Sequence, residues 1–191
     1  MRILVISDTH AKCQRVYDVY KKLAATAPID LIVHCGDYYT DALEIQAHLA
    51  KKVLWVKGNS DGCFDENEYA ILETEAGSFF VSHGHMQNVG FSQQDIYYKA
   101  LEQGCIGALF GHTHRGKFTD LGDFYLMNPG SLTFPRDASG GSFGLLTVNE
   151  GSIIGRIYEY SDFMASIEPP KKKSEVKGGK LRDMINYSDR F

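Results

Sequence analysis

Three short apolar runs, at residues 3–6, 31–34 and 53–56, alternate with stretches of helical periodicity. A run this brief, rich in β-branched residues and without polar alternation, reads as a strand buried on both faces. Between the first two, Val16, Val19, Tyr20 and Leu23 recur at helical spacing, and Pro28 marks that helix's end. A weaker helical pattern covers residues 41–50. The order β-α-β-α-β predicts a parallel sheet covered by helices. Further strands are expected at 69–73 and 79–82, turning at Ala76-Gly77. Ser92 and Asp95 are spaced like a capping box, opening a helix through Ile96, Ala100 and Leu101 to Gly104. Residues 106–110 read as a strand, 117–119 and 124–127 as a hairpin around LGD, and 145–148 with 153–160 as a closing hairpin. This later half is expected to form a second, more antiparallel sheet, giving a mixed α/β chain.

With 191 residues, 43% of them apolar and 23% charged, the composition fits one globular domain. We expect it to span residues 1–160. Beyond lies a Lys-rich extension, 161–191, where EPPKKKSEVKGGK reads as a linker. Leu181, Met184 and Ile185 mark one short helical face there, compatible with a docked helix or with a frayed tail. The net charge of −4, with no long basic block before the tail, argues against grip on long nucleic acid. It says nothing against a small phosphorylated substrate. Cys13, Cys35, Cys63 and Cys105 show no C-x-x-C spacing and read as reduced thiols of a cytoplasmic protein. No stretch is apolar and long enough to span a membrane.

Five polar motifs each follow an expected strand: D-x-H at 8–10, GD at 36–37, GN at 58–59, H-x-H at 83–85 and GHTH at 111–114. Loops at the carboxyl ends of strands converge in α/β sheets, so residues distant in sequence meet there. Asp8, His10, Asp37, Asn59, His83, His112 and His114 offer oxygen and nitrogen lone pairs and no thiolate. That donor set suits Mn, Fe, Zn, Co or Ni. Seven ligands exceed one tetrahedral site, and sharing Asp37 gives each of two ions four protein contacts. Two divalent ions, less the charges of Asp8, Asp37 and a hydroxide between the ions, leave one positive charge, which a phosphodiester neutralises. His34, inside a strand, and His48, inside a helix, are read as structural.

The motifs ISDTH, HCGDYYTD, VKGNSDG, VSHGHM, FGHTHRG and MNPGS resemble, in order, those of the calcineurin-like metallophosphoesterase superfamily. The likeness runs over about residues 1–160 and is strongest to its small phosphodiesterases of the YfcE/MJ0936-like group. It implies a four-layer α-β-β-α sandwich with two metals at the sheet edge. It also implies that Asp8, His10 and His114 hold one ion, Asn59, His83 and His112 the other, and Asp37 both. Many members carry His after the GN asparagine, where this chain has Ser60, a poorer proton donor. His85 and bulk water are the remaining proton donors, with loop support as the other role for His85. Arg136 follows NPGS and is a candidate for a phosphate oxygen. Tyr38 is a candidate pocket wall, and Ser60 a candidate substrate contact.

The resemblance implies hydrolysis of a small phosphodiester by a hydroxide bridging two divalent ions, Mn²⁺ foremost, with Asn59 helping to stabilise phosphoryl oxygens. A phosphomonoesterase would use the same centre. A non-catalytic scaffold is a rival of another class: the retromer scaffold subunit is similar in HGH, GHTH and NPGS but has lost acidic or amide ligands that this chain keeps as Asp37 and Asn59. The sequence leaves homo-oligomerisation open.

Overall fold

The computed structural model describes residues 1–62 and 67–166. The expected linker EPPKKKSEVKGGK, the segment with Leu181, Met184 and Ile185, and Cys63 lie outside these. The chain begins as its periodicity predicts, with β1 (Arg2–Ile6), α1 (Gln14–Ala24), β2 (Leu31–His34), α2 (Tyr39–Leu49) and β3 (Val53–Trp55). These three strands are parallel, with Val5 opposite Val33 and Ile32 opposite Val53.

A second sheet follows from β4 (Tyr69–Thr74), β5 (Gly77–Ser82), β6 (Gly107–Leu109), β7 (Gly116–Asp120) and β8 (Tyr125–Pro129), with α3 (Gln94–Glu102) between β5 and β6. Its spatial order is β4-β5-β6-β8-β7. The central β5, β6 and β8 run parallel, while the two edge strands are antiparallel to their neighbours.

The closing hairpin, β9 (Ser142–Asn149) and β10 (Ser152–Glu159), does not extend this second sheet as expected. It returns to the first, where β9 lies antiparallel to β1 with Leu4 opposite Leu145. Each sheet therefore has two parallel and two antiparallel pairings, and the second is not the more antiparallel. The reason is the double burial of β9. Leu146 and Val148 face the other sheet while Phe143 and Leu145 face the helices, a demand met beside β1.

Side-chain alternation divides the core into three layers. Ile3, Val5, Val33, Phe79, Val81, Leu109 and Met127 pack between the sheets. Leu4, Ile6 and Ile32 turn the other way onto Val16, Val19, Leu23 and Ile45 of α1 and α2. Phe80, Ala108 and Leu126 leave the second sheet's far face for Ile96 and Ala100 of α3. The result is the α-β-β-α sandwich.

One local expectation is corrected. Ser92 does not cap α3: its hydroxyl accepts from Gln94 N at 3.1 Å, a turn that closes on the helix's first residue, and the N-cap position is Gln93. Ahead of the expected linker, Tyr160–Ala165 form α4. Phe163 anchors it, buried edge-on to Phe143 at 5.0 Å, an apolar side chain that the polar average of the segment concealed. Among the described residues no helix is long and apolar enough to cross a membrane.

Candidate metal centre

The loops leaving β1, β2 and β3 carry Asp8, Asp37 and Asn59, and those leaving β5, β6 and β8 carry His83, the 111–114 turn and residues 130–136. Parallel strands point their carboxyl ends the same way, so each sheet delivers three loops to one edge of the sandwich. Hydrogen bonds tie the two sets together. Gly111 N donates to His83 O at 3.1 Å, Asp8 N to Gly36 O at 3.1 Å, and Ser131 Oγ crosses between sheets to Asp8 O at 2.8 Å.

Two groups of ligand atoms result, each drawn within 4.8 Å: Asp8, His10 and His114 in one, and Asp8, Asp37 and His83 in the other. Asp8 belongs to both. His114 Nε2 lies 3.2 Å from Asp8 Oδ1, and His83 Nε2 lies 3.4 Å from Asp37 Oδ1. The Asn59 amide reaches His83 Nε2 at 3.1 Å, although Asn59 itself is exposed. The His112 ring stands 5.1 Å from that of His83, and its backbone N–H holds Asp8 Oδ2 at 3.1 Å.

The tautomers follow from the second nitrogen of each ring. Carbonyls only accept, so Nδ1 of His83 carries the proton given to Cys35 O at 2.9 Å, and Nδ1 of His114 that given to Phe134 O at 2.6 Å. Each neutral imidazole thus aims a lone pair at a carboxylate. Lone pairs facing one another need a cation between them, a proton or a metal. Without metal the proton serves. Burial opposes the charged forms of both Asp8 and His114, but their contact outweighs it, lowering the Asp8 pKa and raising that of His114. Among the described residues buried Asp8 Oδ1 and His10 Nε2 have no hydrogen-bond partner. Orphaned polar atoms beside such a donor set are what divalent transition-metal binding would satisfy.

Backbone strain gathers at the same place. Asp8, His10, Asp37, His112 and His114 all have left-handed backbones, with φ of 55°, 48°, 59°, 68° and 57°. Each such non-glycine residue costs about 1–3 kcal/mol and persists only where its surroundings impose it.

Several neighbours were not legible as partners. Thr9 Oγ donates to Asp41 Oδ2 at 2.6 Å and lies 2.9 Å from His34 Nε2. Asp41 also takes the Ala11 N–H at 2.8 Å. All three side chains are buried beneath the D-x-H loop, and burial holds the His34 pKa down to about 4, so His34 is neutral. It supports the site from below rather than lining it. His48 is structural, stacked on Tyr17 at 4.0 Å.

Ser60, expected at the substrate, gives both its N–H and its hydroxyl to Asp37, each at 3.0 Å. The half-buried His85 ring lies 5.3 Å from His83 and 6.2 Å from His112. Tyr38, 38% exposed, packs edge-on to His10 at 5.0 Å. It helps wall a cleft of about 500 Å³ with His10, His114, Phe134, Pro135 and Arg136. A second cavity of about 360 Å³ opens beside His112, and Arg136 borders both.

A profile of the calcineurin-like phosphoesterase superfamily domain matches residues 1–151. The chain belongs to this superfamily. Among curated calcineurin-like relatives, the probable metallophosphoesterase YsnB of Bacillus subtilis is 30% identical over 159 residues, covering 83% of this chain and 91% of that protein. The phosphodiesterase MJ0936 of Methanocaldococcus jannaschii is 26% identical, covering 68% and 83%. A predicted phosphoesterase from Streptococcus pneumoniae has the same fold with a TM-score of 0.69 at 24% identity, covering 84% of this chain and 90% of that one. So has zinc-complexed Vps29 of Entamoeba histolytica, at 0.64 and 24%, covering 84% and 99%. The calcineurin-like family is metal-dependent, and Asp8, His10, Asp37, His83 and His114 form two groups that could hold a metal ion.

Metal should therefore stabilise the fold measurably. Mn²⁺ at a hundred times its dissociation constant adds about 2.7 kcal/mol per independent site, roughly 5–10 °C in Tm for a chain of this length. Thermal melts in chelator and in Mn²⁺ test this, and coincident curves would contradict the assignment.

Proposed function

We propose that the chain is a metal-dependent phosphodiesterase acting on a small diester. The observation that carries the reading is the sharing of Asp8 by two ligand groups, with orphaned acceptors at its Oδ1 and at His10 Nε2. Asp8, His10 and His114 would hold one ion and Asn59, His83 and His112 the other, with Asp37 between; Asp8, which also belongs to the group with Asp37 and His83, would lie within reach of both. When bound, the pair, Mn²⁺ foremost, would supply an activated water and positive charge against the phosphoryl oxygens.

The protein's own groups do the rest. Ser60 fixes both oxygens of Asp37 in place. Cys35 O and Phe134 O keep the His83 and His114 rings in their metal-binding tautomers. Asn59 brings an amide to the side where negative charge grows on the phosphoryl group. Burial, with His83 and His112 close by, lowers the His85 pKa. The leaving group takes its proton from His85 or from bulk water. Arg136 and Tyr38 border the substrate cleft. The buried free thiols Cys13, Cys35 and Cys105 fit a cytoplasmic setting.

The test is turnover of bis(p-nitrophenyl) phosphate with Mn²⁺. Asp37→Ala is expected to lower kcat/KM about 100-fold, and the wild-type value for this diester should exceed that for p-nitrophenyl phosphate. Equal rates in the two proteins would refute catalysis at this centre. A preference for the monoester would make the chain a phosphomonoesterase. Absence of both metal and turnover would favour a scaffold role.

A further inference from the structure

We propose that the cavity beside His112 is a subsite for a second phosphate group, so that the substrate is a phosphodiester carrying an additional phosphate on one side only. This rests on the phosphodiesterase reading and adds to it the class of substrate. The cavity is bounded by Gln93 with Val89 and Gly90 on one wall, and by Arg115, Lys117 and Arg136 on the other. It gathers three cationic side chains and no carboxylate, in a chain whose net charge is −4. Among the described residues none of the three is in an ion pair.

Their presentation is fixed by the backbone. Arg115 Nε donates to Arg136 O at 3.2 Å, which leaves its terminal nitrogens without a partner among the described residues. Arg136 N donates to His114 O at 3.1 Å, fastening the groove to the candidate ligand loop. The floor is already satisfied: Asn128 Nδ2 donates to Gly111 O at 2.7 Å and to Thr113 Oγ at 3.0 Å. Asp137, next in sequence to Arg136, has a carboxylate engaged with the backbone N–H groups of Gly116 at 3.2 Å and Ser139 at 3.1 Å. The unengaged donors are thus cationic, and a guanidinium with an ammonium close by suits a phosphate dianion.

The asymmetry separates this substrate from a nucleic-acid strand. A strand carries phosphates on both sides of the scissile bond, yet the cleft on the His10 side is walled by Tyr38, Phe134 and Pro135, with Arg136, which borders both cavities, the one Lys or Arg among its described residues. Arg115 and Lys117 stand on His112's side alone, so that side carries the surplus of positive charge.

Calorimetric titration of the Mn²⁺-loaded full chain tests the proposal, using thymidine 3′,5′-bisphosphate against thymidine 5′-monophosphate. The bisphosphate should bind at least about tenfold tighter. Arg115→Ala and Lys117→Ala should each bring the ratio of the two affinities below about threefold. Lys21→Ala, an equal charge loss on exposed α1, should leave the ratio as it is. Equal affinities in the wild type, or a ratio that survives both groove variants, would overturn the subsite. Turnover of bis(p-nitrophenyl) phosphate in the same preparation separates the two claims. Turnover with equal nucleotide affinities leaves the hydrolase reading standing and the subsite refuted. A groove-dependent ratio without turnover supports the subsite and removes the hydrolase reading.

Discussion

Asp8→Ala should strip metal from both ligand groups and lower kcat/KM for an activated diester about 10³-fold or more. The size follows from position. Asp8 is the one side chain common to the two groups, and its Oδ1 is buried without a hydrogen bond. Charge stabilisation by metal is worth several kcal/mol in a phosphoryl-transfer transition state, and each 1.36 kcal/mol is tenfold in rate. His10→Ala touches only the first group and should leave metal in the second. Elemental analysis of both variants, read beside their rates, distinguishes these outcomes. The idea fails if Asp8→Ala keeps its full metal content or stays within tenfold of wild-type activity.

Loss of metal is separable from loss of fold. In the metal-free protein the Asp8 carboxylate faces His114 Nε2 at 3.2 Å and accepts the His112 N–H at Oδ2, and, against the opposing effect of burial, contact with His114 lowers its pKa. Asp8→Ala should therefore lower Tm even in chelator, because it leaves a buried partner uncompensated. Asp8→Asn, which keeps the shape and removes the charge, should behave alike in metal content. In Mn²⁺ the gap to the wild type should widen, by the amount that binding contributes.

The ligand loops were legible because a buried strand announces its own end. The run Ile3–Ile6 stops at a polar D-x-H, and the same break recurs at Asp37, Asn59, His83 and Gly111. That pattern fixes which residues arrive at the sheet edge, and parallel pairing then brings the loops together. What each loop leans on was hidden. Thr9, His34 and Asp41 come from a loop, a strand and a helix, and a hydrogen bond at 2.6 Å between them has no spacing to betray it. Arg115 and Lys117 carried no signal in the sequence, since only the fold sets them beside Arg136 across one cavity. The closing hairpin was recognisable as two strands, but a hairpin motif does not say which sheet it joins. The double burial of β9 decided that. Phe163 was lost in the polar average of its neighbours, although one aromatic side chain sufficed to dock α4.

Gly58→Ala is expected to damage the fold and the centre together. An added Cβ would lie 2.1 Å from Asp37 Oδ1 and 2.4 Å from Asp37 N. A new rotamer of Asp37 would relieve only the first clash, because the second is with backbone. The loop has little room to retreat, since Gly58 N is tied to Asp61 Oδ2 at 2.7 Å while Asp61 Oδ1 holds Tyr39 N at 2.8 Å. Forced overpacking of this kind costs about 1–3 kcal/mol, and a backbone clash places it at the upper end. Gly62→Ala is the matched control in the same loop. Among the described residues nothing lies within 4 Å of its added Cβ, but its φ of +81° favours glycine, so a cost of only about 1 kcal/mol is expected. Urea denaturation should show the larger loss for Gly58→Ala in chelator. Repeating it in Mn²⁺ should widen the gap, because only Gly58→Ala displaces a ligand. Equal losses for the two variants, or full Mn²⁺ stabilisation of Gly58→Ala, would mean that Asp37 is not held where the metal needs it.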